Sequence, residues 1–187
     1  MSKILYTAIT GGYDNIIEPT IPKGWTLKVF KQGDPTLDSQ RQARKIKILP
    51  WLYFEFEECI WFDGNLRFSD DIYRHKEDFA LLSHGRKCIY EEAIACKRQH
   101  KAPVELIEKQ IDAYRAEGMP NDLGMVATGL MYRKNTDKNK KFCEAWWQEI
   151  KKYTARDQLS FNYVVWKQNL IYQTLPFSIV KLLPHNK

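Results

Sequence analysis

Residues 60–68 read IWFDGNLRF. An apolar run is broken by a carboxylate, a glycine and an amide, and then resumes. Two readings compete. Asp-Gly-Asn is a common exit from a strand through a tight turn. It can also offer oxygens to a hard cation at the mouth of a buried strand. Residues i and i+2 of an extended chain point the same way, so Asp63 and Asn65 can share one ion, with Gly64 admitting a ligand to the backbone. Oxygen ligands suit Mg²⁺ or Mn²⁺. On these residues alone the turn is the commoner outcome, so the surroundings have to decide.

Working outward, ECIWF (58–62) reads as a buried strand that delivers Asp63. KILYTAIT (3–10) reads as a first strand ended by Gly11-Gly12, and WTLKVF (25–30) as a second. DSQRQARKIKIL reads as a short helix, with an N-cap at Asp38 or Ser39 and a stop at Pro50. After Ser69 a short helix and the strand DFALL follow. Two helices then run from Tyr90 to Gly118, the second opening at Pro103. GMVATGLMYRK (124–134) is another strand. Two helices come next, the second over 157–168, and LIYQTL closes as a last short strand. Strands alternating with helices favour a layered α/β fold over a bundle or sandwich. No repeat or linker divides the chain, so residues 1–187 form one domain.

The chain has 187 residues, 44% of them hydrophobic, and a formal charge of +6. That is enough apolar material for a packed core. No stretch approaches the roughly 20 apolar residues of a membrane span, and the N-terminus lacks a signal-peptide pattern, so a cytoplasmic protein is expected. Cys59, Cys88, Cys96 and Cys143 form no C-x-x-C pair, which argues for reduced, buried thiols rather than zinc. The excess charge lies in 41–47, 97–101 and 133–141 and suits a polyanion such as a nucleotide diphosphate. It is scattered and carries no nucleic-acid-binding motif, so nucleic acid is not an expected partner.

Three further segments are candidates for chemistry. At about 100° per residue, Arg41, Arg44 and Lys45 share one face of the helix over RQARKIKIL, while Ala43, Ile46 and Leu49 lie on the other. That face can meet phosphate oxygens, although an ordinary solvated face reads the same way. TAITGGYDN ends in a loop where backbone can approach a ligand. There Tyr13 can stack on a base and Asp14 can accept hydrogen bonds from a ribose. It matches neither G-x-G-x-x-G nor the Walker loop. In ARDQLSF, Asp157 either caps a helix or enters a pocket as a base. The histidines form no H-E-x-x-H and no local metal spacing.

Seven segments occur in an order that resembles one family: YTAITGGYDN, RQARKIKILP, IWFDGNL, CIYEEAIAC, TGLMYRKN, WWQEI and RDQLSFNYVVWK. It is the glycosyltransferase-like domain of plant mucilage-related proteins and their bacterial relatives, which resembles GT-A glycosyltransferases. The resemblance implies a GT-A-like (Rossmann-like) α/β/α sandwich with a mixed central sheet and an Asp-x-Asp metal motif. It implies transfer of a sugar from a nucleotide-sugar donor to a glycan or other hydroxyl acceptor. On that reading Asp63 and Asn65 hold Mn²⁺ or Mg²⁺, with His185 added as a third ligand without a motif of its own. Thr7, Thr10, Gly11, Tyr13 and Asp14 hold the nucleotide. Arg41, Arg44 and Lys45 meet the diphosphate, and Asp157 with Glu91 or Glu92 faces the acceptor. Asn65 departs from the family pattern, since a neutral amide replaces the second carboxylate. The alternative is a non-catalytic nucleotide- or glycan-binding protein on the same fold. The chain is short for that fold, which leaves room for a homo-oligomer in which a second copy completes the acceptor region.

Overall fold

The computed structural model describes residues 2–12 and 19–184. Six strands form the central sheet: β1 (Lys3–Ala8), β2 (Trp25–Phe30), β3 (Glu58–Phe62), β5 (Phe79–Ser83), β6 (Val126–Lys134) and β7 (Gln173–Leu175). A separate ribbon pairs β4 (Leu66–Phe68) with β8 (Val180–Leu182). The sheet order is β2-β1-β3-β6-β5-β7. β1 is parallel to β2 and β3, β5 is parallel to β7, and β6 runs against both β3 and β5. The expected α/β fold with a mixed central sheet is therefore what the chain adopts.

Alternation along the strands divides the core in two. Tyr6, Cys59, Trp61, Phe79 and Leu81 face one side, and Leu5, Ile60, Phe62, Ala80 and Leu82 face the other. The first side is covered by α1 (Ser39–Ile48), α2 (Ile89–Arg98), α3 (Val104–Ala116), α4 (Asp137–Lys152) and α5 (Asp157–Gln168), all of which contribute buried side chains to that cluster. The second side is closed by the β4–β8 ribbon and by two 3-10 turns that supply Ile72 and Ile179. Both strand faces are thus out of water, which is why β1 and β3 read as unbroken apolar runs. The four cysteines are free and buried, as their spacing predicts.

Two local features position the site. Asp38 caps α1, its carboxylate accepting the Arg41 N–H at 2.9 Å, which fixes the helix that carries the cations. β6 is interrupted at the level where β3 ends. Leu81 pairs with Met131 but Leu82 pairs with Ala127, so Thr128, Gly129 and Leu130 bulge out of the ladder with β5. The bulge reverses the alternation: Val126 and Met131, five residues apart, face the same core. An isolated glycine inside a strand pattern marks such a bulge. Among the described residues, no helix is long and apolar enough to cross a membrane.

Candidate functional site

The opening segment forms the tight turn of its first reading. Leu66 N–H donates to Asp63 O at 2.8 Å, closing a tight turn over residues 63–66. The turn sits where β3 leaves the sheet, and Asp63 N–H donates to Gly129 O of the bulge at 2.8 Å. Asp63 follows Trp61 on the same face, and the indole Nε1 donates to Asp63 Oδ1 at 2.8 Å. The other oxygen, Oδ2, faces Gly129, where a Cβ would stand 3.1 Å away. The turn carries Asn65 out of the extended register assumed from the sequence, and its Nδ2 donates to Leu183 O at 3.2 Å.

Behind Asp63 lies a buried ion cluster. Lys47, at the end of α1, is 1% exposed and Asp157, the first residue of α5, is 2% exposed. Lys47 Nζ stands 2.5 Å from Asp157 Oδ2, 3.1 Å from Thr128 Oγ1 and 3.9 Å from Asp63 Oδ1. It also lies over the Trp61 ring, 5.3 Å from its centroid. Thr128 donates to Asp157 Oδ2 at 2.9 Å, and Arg44 Nε lies 3.4 Å from Asp157 Oδ1. Burial by itself would raise the Asp157 carboxyl, but Arg44, Lys47 with its hydrogen bond, and Arg156 hold it well below the usual carboxylate range. Burial lowers the Lys47 ammonium, and Asp157 and Asp63 oppose that shift.

The last turn of α1 is itself anchored. Arg133 of β6, 1% exposed, donates to Ile48 O at 3.1 Å and to Lys47 O and Tyr6 Oη. Tyr6 Oη in turn donates to Lys47 O at 2.7 Å. A cation on the final carbonyls of a helix also complements the helix dipole.

Two cavities meet at this cluster. The first, about 310 Å³, opens between the end of β1 and α1 and is lined by Thr10, Ser39, Trp61 and Gly64, among others. The second, about 580 Å³, runs past the bulge to Gln158, His84 and the C-terminal segment. Gln40, Arg44, Asp63, Asn65 and Arg156 line both. Gly11 has a positive φ of 71°, and a Cβ there would lie 2.8 Å from that of Ser39. The loop after β1 can therefore approach α1 only with glycine at this place. Thr10 Oγ1 ties the loop down, donating to Ser39 O at 2.6 Å.

Of the residues proposed from the sequence, Asp63, Asn65, Thr10 and Arg44 come together at the cavities. Thr7 is wholly buried and lines neither of them. Lys45 turns to Asp34 at 2.6 Å. Arg41 is held by Asp38 at 2.8 Å and by Tyr153 O at 2.7 Å, away from Asp63. Glu91 accepts the Lys87 N–H at 2.9 Å as part of the start of α2 and lines neither cavity. Glu92 is buried and paired with Arg86 at 2.7 Å, and it reaches the site only through Arg156 at 3.8 Å. Asp157 belongs to the cluster as a locked counter-ion, and a carboxylate so strongly held ionised is a poor proton acceptor. Tyr13, Asp14 and His185 lie outside the described residues. Sequence reasoning missed Lys47, Thr128, Arg133 and Arg156. For Lys47 a signal was present, because it follows Arg44 by three residues on the same helix.

Among the described residues, no group of three or more His, Cys, Asp and Glu side chains could hold a metal. The donor set still fits a hard cation that takes much of its shell from a substrate. Asp63 Oδ2 faces the space that the missing Gly129 side chain leaves, and the Asn65 amide donates through its nitrogen to Leu183 O, so its oxygen is the atom that a cation could take. Mg²⁺ commonly takes one or two protein ligands and completes its shell with phosphate oxygens and water.

The family model described as the TOD1/MUCI70 glycosyltransferase-like domain matches residues 24–181. The probable hexosyltransferase MUCI70 of Arabidopsis thaliana is 26% identical over 148 residues, which cover 70% of this chain and 26% of that protein. The chain thus spans about a quarter of the length of that curated relative. Among solved structures, it is similar to a glycosyltransferase involved in the glycosylation of the major capsid of PBCV-1. There the TM-score is 0.48 and the identity 7%, over 93% of this chain and 79% of the other. It is also similar to mouse xyloside xylosyltransferase 1, with a TM-score of 0.47 and 8% identity over 93% and 84% of the two chains.

Proposed function

The chain belongs to the TOD1/MUCI70 glycosyltransferase-like domain family, and on that premise we propose that it transfers a sugar from a nucleoside-diphosphate sugar to a hydroxyl of a glycan or similar acceptor. The observation that carries the reading is the meeting of two cavities at Asp63, Arg44 and Arg156. The first cavity, beside the GT-A-like β1 loop, takes the nucleotide. The second takes the donor sugar and the acceptor. As the sugar leaves, negative charge gathers on the diphosphate, and fixed cations around that oxygen lower the barrier. Arg44 spends its Nε on Ala155 O and Asp157 and sits at the junction. Lys47 adds a buried positive charge behind it. A divalent cation held by Asp63 and Asn65 would neutralise the same leaving group. Asp157 is a positioning residue on this reading, since it holds Lys47 and Arg44 in place rather than taking the acceptor proton.

A second reading, a nucleotide- or glycan-binding protein without turnover, draws on one feature. The carboxylates lining the second cavity are Asp63 and Asp157, and neither is placed as a free base. A screen of nucleotide sugars, following binding and donor hydrolysis with and without Mn²⁺, separates the two. Binding with hydrolysis or transfer supports the enzyme, binding alone supports the second reading, and no binding of any nucleotide diphosphate ends the enzyme reading and leaves only the glycan-binding form of the second.

A further inference from the structure

The second cavity does not stop at the ion cluster. It continues to the turn between α2 and α3, where His100 and Lys101 line both it and a neighbouring groove of about 510 Å³. The turn has an unusual backbone. His100 N–H donates to Lys97 O at 3.2 Å and Lys101 N–H to Cys96 O at 3.0 Å, which closes α2 through a left-handed residue at His100, φ 50°. Glycine usually fills that position because a side chain is disfavoured there. Here an imidazole occupies it and borders both spaces.

The charges along this path are one-sided. Among the described residues, four cations, Arg44, Lys47, Lys101 and Arg156, line the second cavity with two carboxylates, Asp63 and Asp157. Asp157 is already matched by Lys47 and Arg44. Beyond the cavity, the groove contains Arg41, His100 and Lys101, and no carboxylate among the described residues that line it. Among those residues no carboxylate pairs with Lys101 either. Lys101 does not line the first cavity, so its charge is displaced from the place assigned to the nucleotide. The second cavity also has apolar lining. Phe177 and Leu182, 44% and 59% exposed, border the second cavity from the C-terminal segment.

A pyranose ring matches such a cleft. Its C–H face packs on an aromatic or aliphatic surface, and its rim carries the polar groups. We propose that the second cavity and the adjoining groove form an extended acceptor site for an acidic saccharide. Phe177 and Leu182 lie under the ring, and Lys101 with His100 receives its anionic groups. The assignment of this saccharide as the acceptor rests on the glycosyl-transfer reading above, whereas the binding site does not. Carboxylate and sulfate share the required chemistry.

The test uses the full chain and calorimetry at about 0.15 M salt, where diffuse surface attraction is largely screened beyond roughly 8 Å. The probes are an oligouronide, a sulfated oligosaccharide and a neutral oligosaccharide of equal length, with a nucleoside diphosphate measured on the same samples. The acidic probes are expected to bind at least about tenfold tighter than the neutral one. Lys101→Gln removes about a factor of ten from that affinity, the scale of one charge-assisted hydrogen bond. Lys138→Gln, an equal loss of charge on the exposed face of α4, leaves it within about twofold. Phe177→Ala weakens acidic and neutral probes alike. A preference for the oligouronide over the sulfated probe, or the reverse, supports the site and names the group it takes. Equal binding of acidic and neutral saccharides overturns the proposal, as does equal loss in Lys101→Gln and Lys138→Gln. If the saccharide binds as expected and no nucleoside diphosphate does, the glycosyl-transfer reading fails and the saccharide site stands.

Discussion

Lys47 and Asp157 form a salt bridge 2.5 Å long between side chains that are 1% and 2% exposed. Each is almost wholly withdrawn from water, so removing one leaves the other a buried charge short of its nearest partner. Asp157→Asn, which keeps the size of the side chain, is expected to cost about 3–5 kcal/mol in urea unfolding, the usual penalty for orphaning one member of a buried pair. Replacing both together, Lys47→Met with Asp157→Leu, recovers most of that loss while abolishing nucleotide-dependent activity. If the single and double variants are equally unstable, the packing of the site matters more than its charge.

The same pair sets an acid limit. The folded Asp157 carboxyl lies below its unfolded value of 3.8, so the unfolded chain takes up the proton first as pH falls. The stability it contributes is present in full above the unfolded value and fades as pH drops toward the folded one. The gap in unfolding free energy between wild type and Asp157→Asn should be constant from about pH 5 to 8 and narrow below about pH 4. Urea titrations at a series of pH values measure it. A gap that widens on acidification contradicts the assignment.

Arg44 and Arg41 lie three residues apart on α1, but of the two only Arg44 stands at the junction of the first and second cavities, while Arg41 lines the neighbouring groove. Arg44→Ala is expected to weaken nucleoside-diphosphate binding by about tenfold. Arg41→Ala, which loses contacts to Asp38, Ile150 O and Tyr153 O, should lower the melting temperature and leave that affinity within about twofold. Calorimetry and thermal melts on the two variants distinguish these outcomes.

Gly129 leaves space that Asp63 uses. In Gly129→Ala the new Cβ would lie 3.1 Å from Asp63 Oδ2 and 3.1 Å from Leu66 Cδ1. The carboxylate has to turn, and the metal-dependent part of nucleotide binding should fall by about tenfold, with a smaller change in melting temperature. Equal Mn²⁺ dependence in wild type and variant would remove Asp63 Oδ2 from the metal site.

Asn65→Asp restores a second carboxylate but sets it against Leu183 O, where an amide now donates. Tighter Mn²⁺ binding is expected together with faster proteolysis near residue 183, because charge at the cation is gained as the C-terminal segment loses its clasp. Weaker Mn²⁺ binding would mean that residue 65 acts through Leu183 alone.

The sheet and helices were legible because their apolar spacing is strong. The strands at 25–30 and 58–62 and the helix at 157–168 have the expected boundaries. The short strands β4 and β8 were not legible, since three residues carry no usable period and their pairing joins distant parts of the chain. At the site, the spacing of Arg41, Arg44 and Lys45 brought Arg44 to the cavities and left the other two on different partners. It could not show that Asp34 and the carbonyls of α4 would draw two of those cations aside. Lys47 was passed over because lysine between Ile46 and Ile48 reads as surface, although a counter-ion 110 residues away keeps it inside. Gly129 in VATGLMY was a local sign of a bulge, and the bulge is what brings Thr128 to Asp157.

The pairing of Asn65 with Leu183 also has a temporal consequence. The two residues are 118 positions apart, and each supplies a hydrogen bond to the other. Contacts of such separation form late, because a long stretch of chain must first be ordered. During synthesis the strand that delivers Asp63 emerges early, yet its turn has no clasp until residue 183 has left the ribosome. A chain halted short of that point can hold most of its helical core and still lack a closed site. On the glycosyl-transfer reading, the turn that delivers Asp63 is therefore clasped only once the segment around Leu183 has docked.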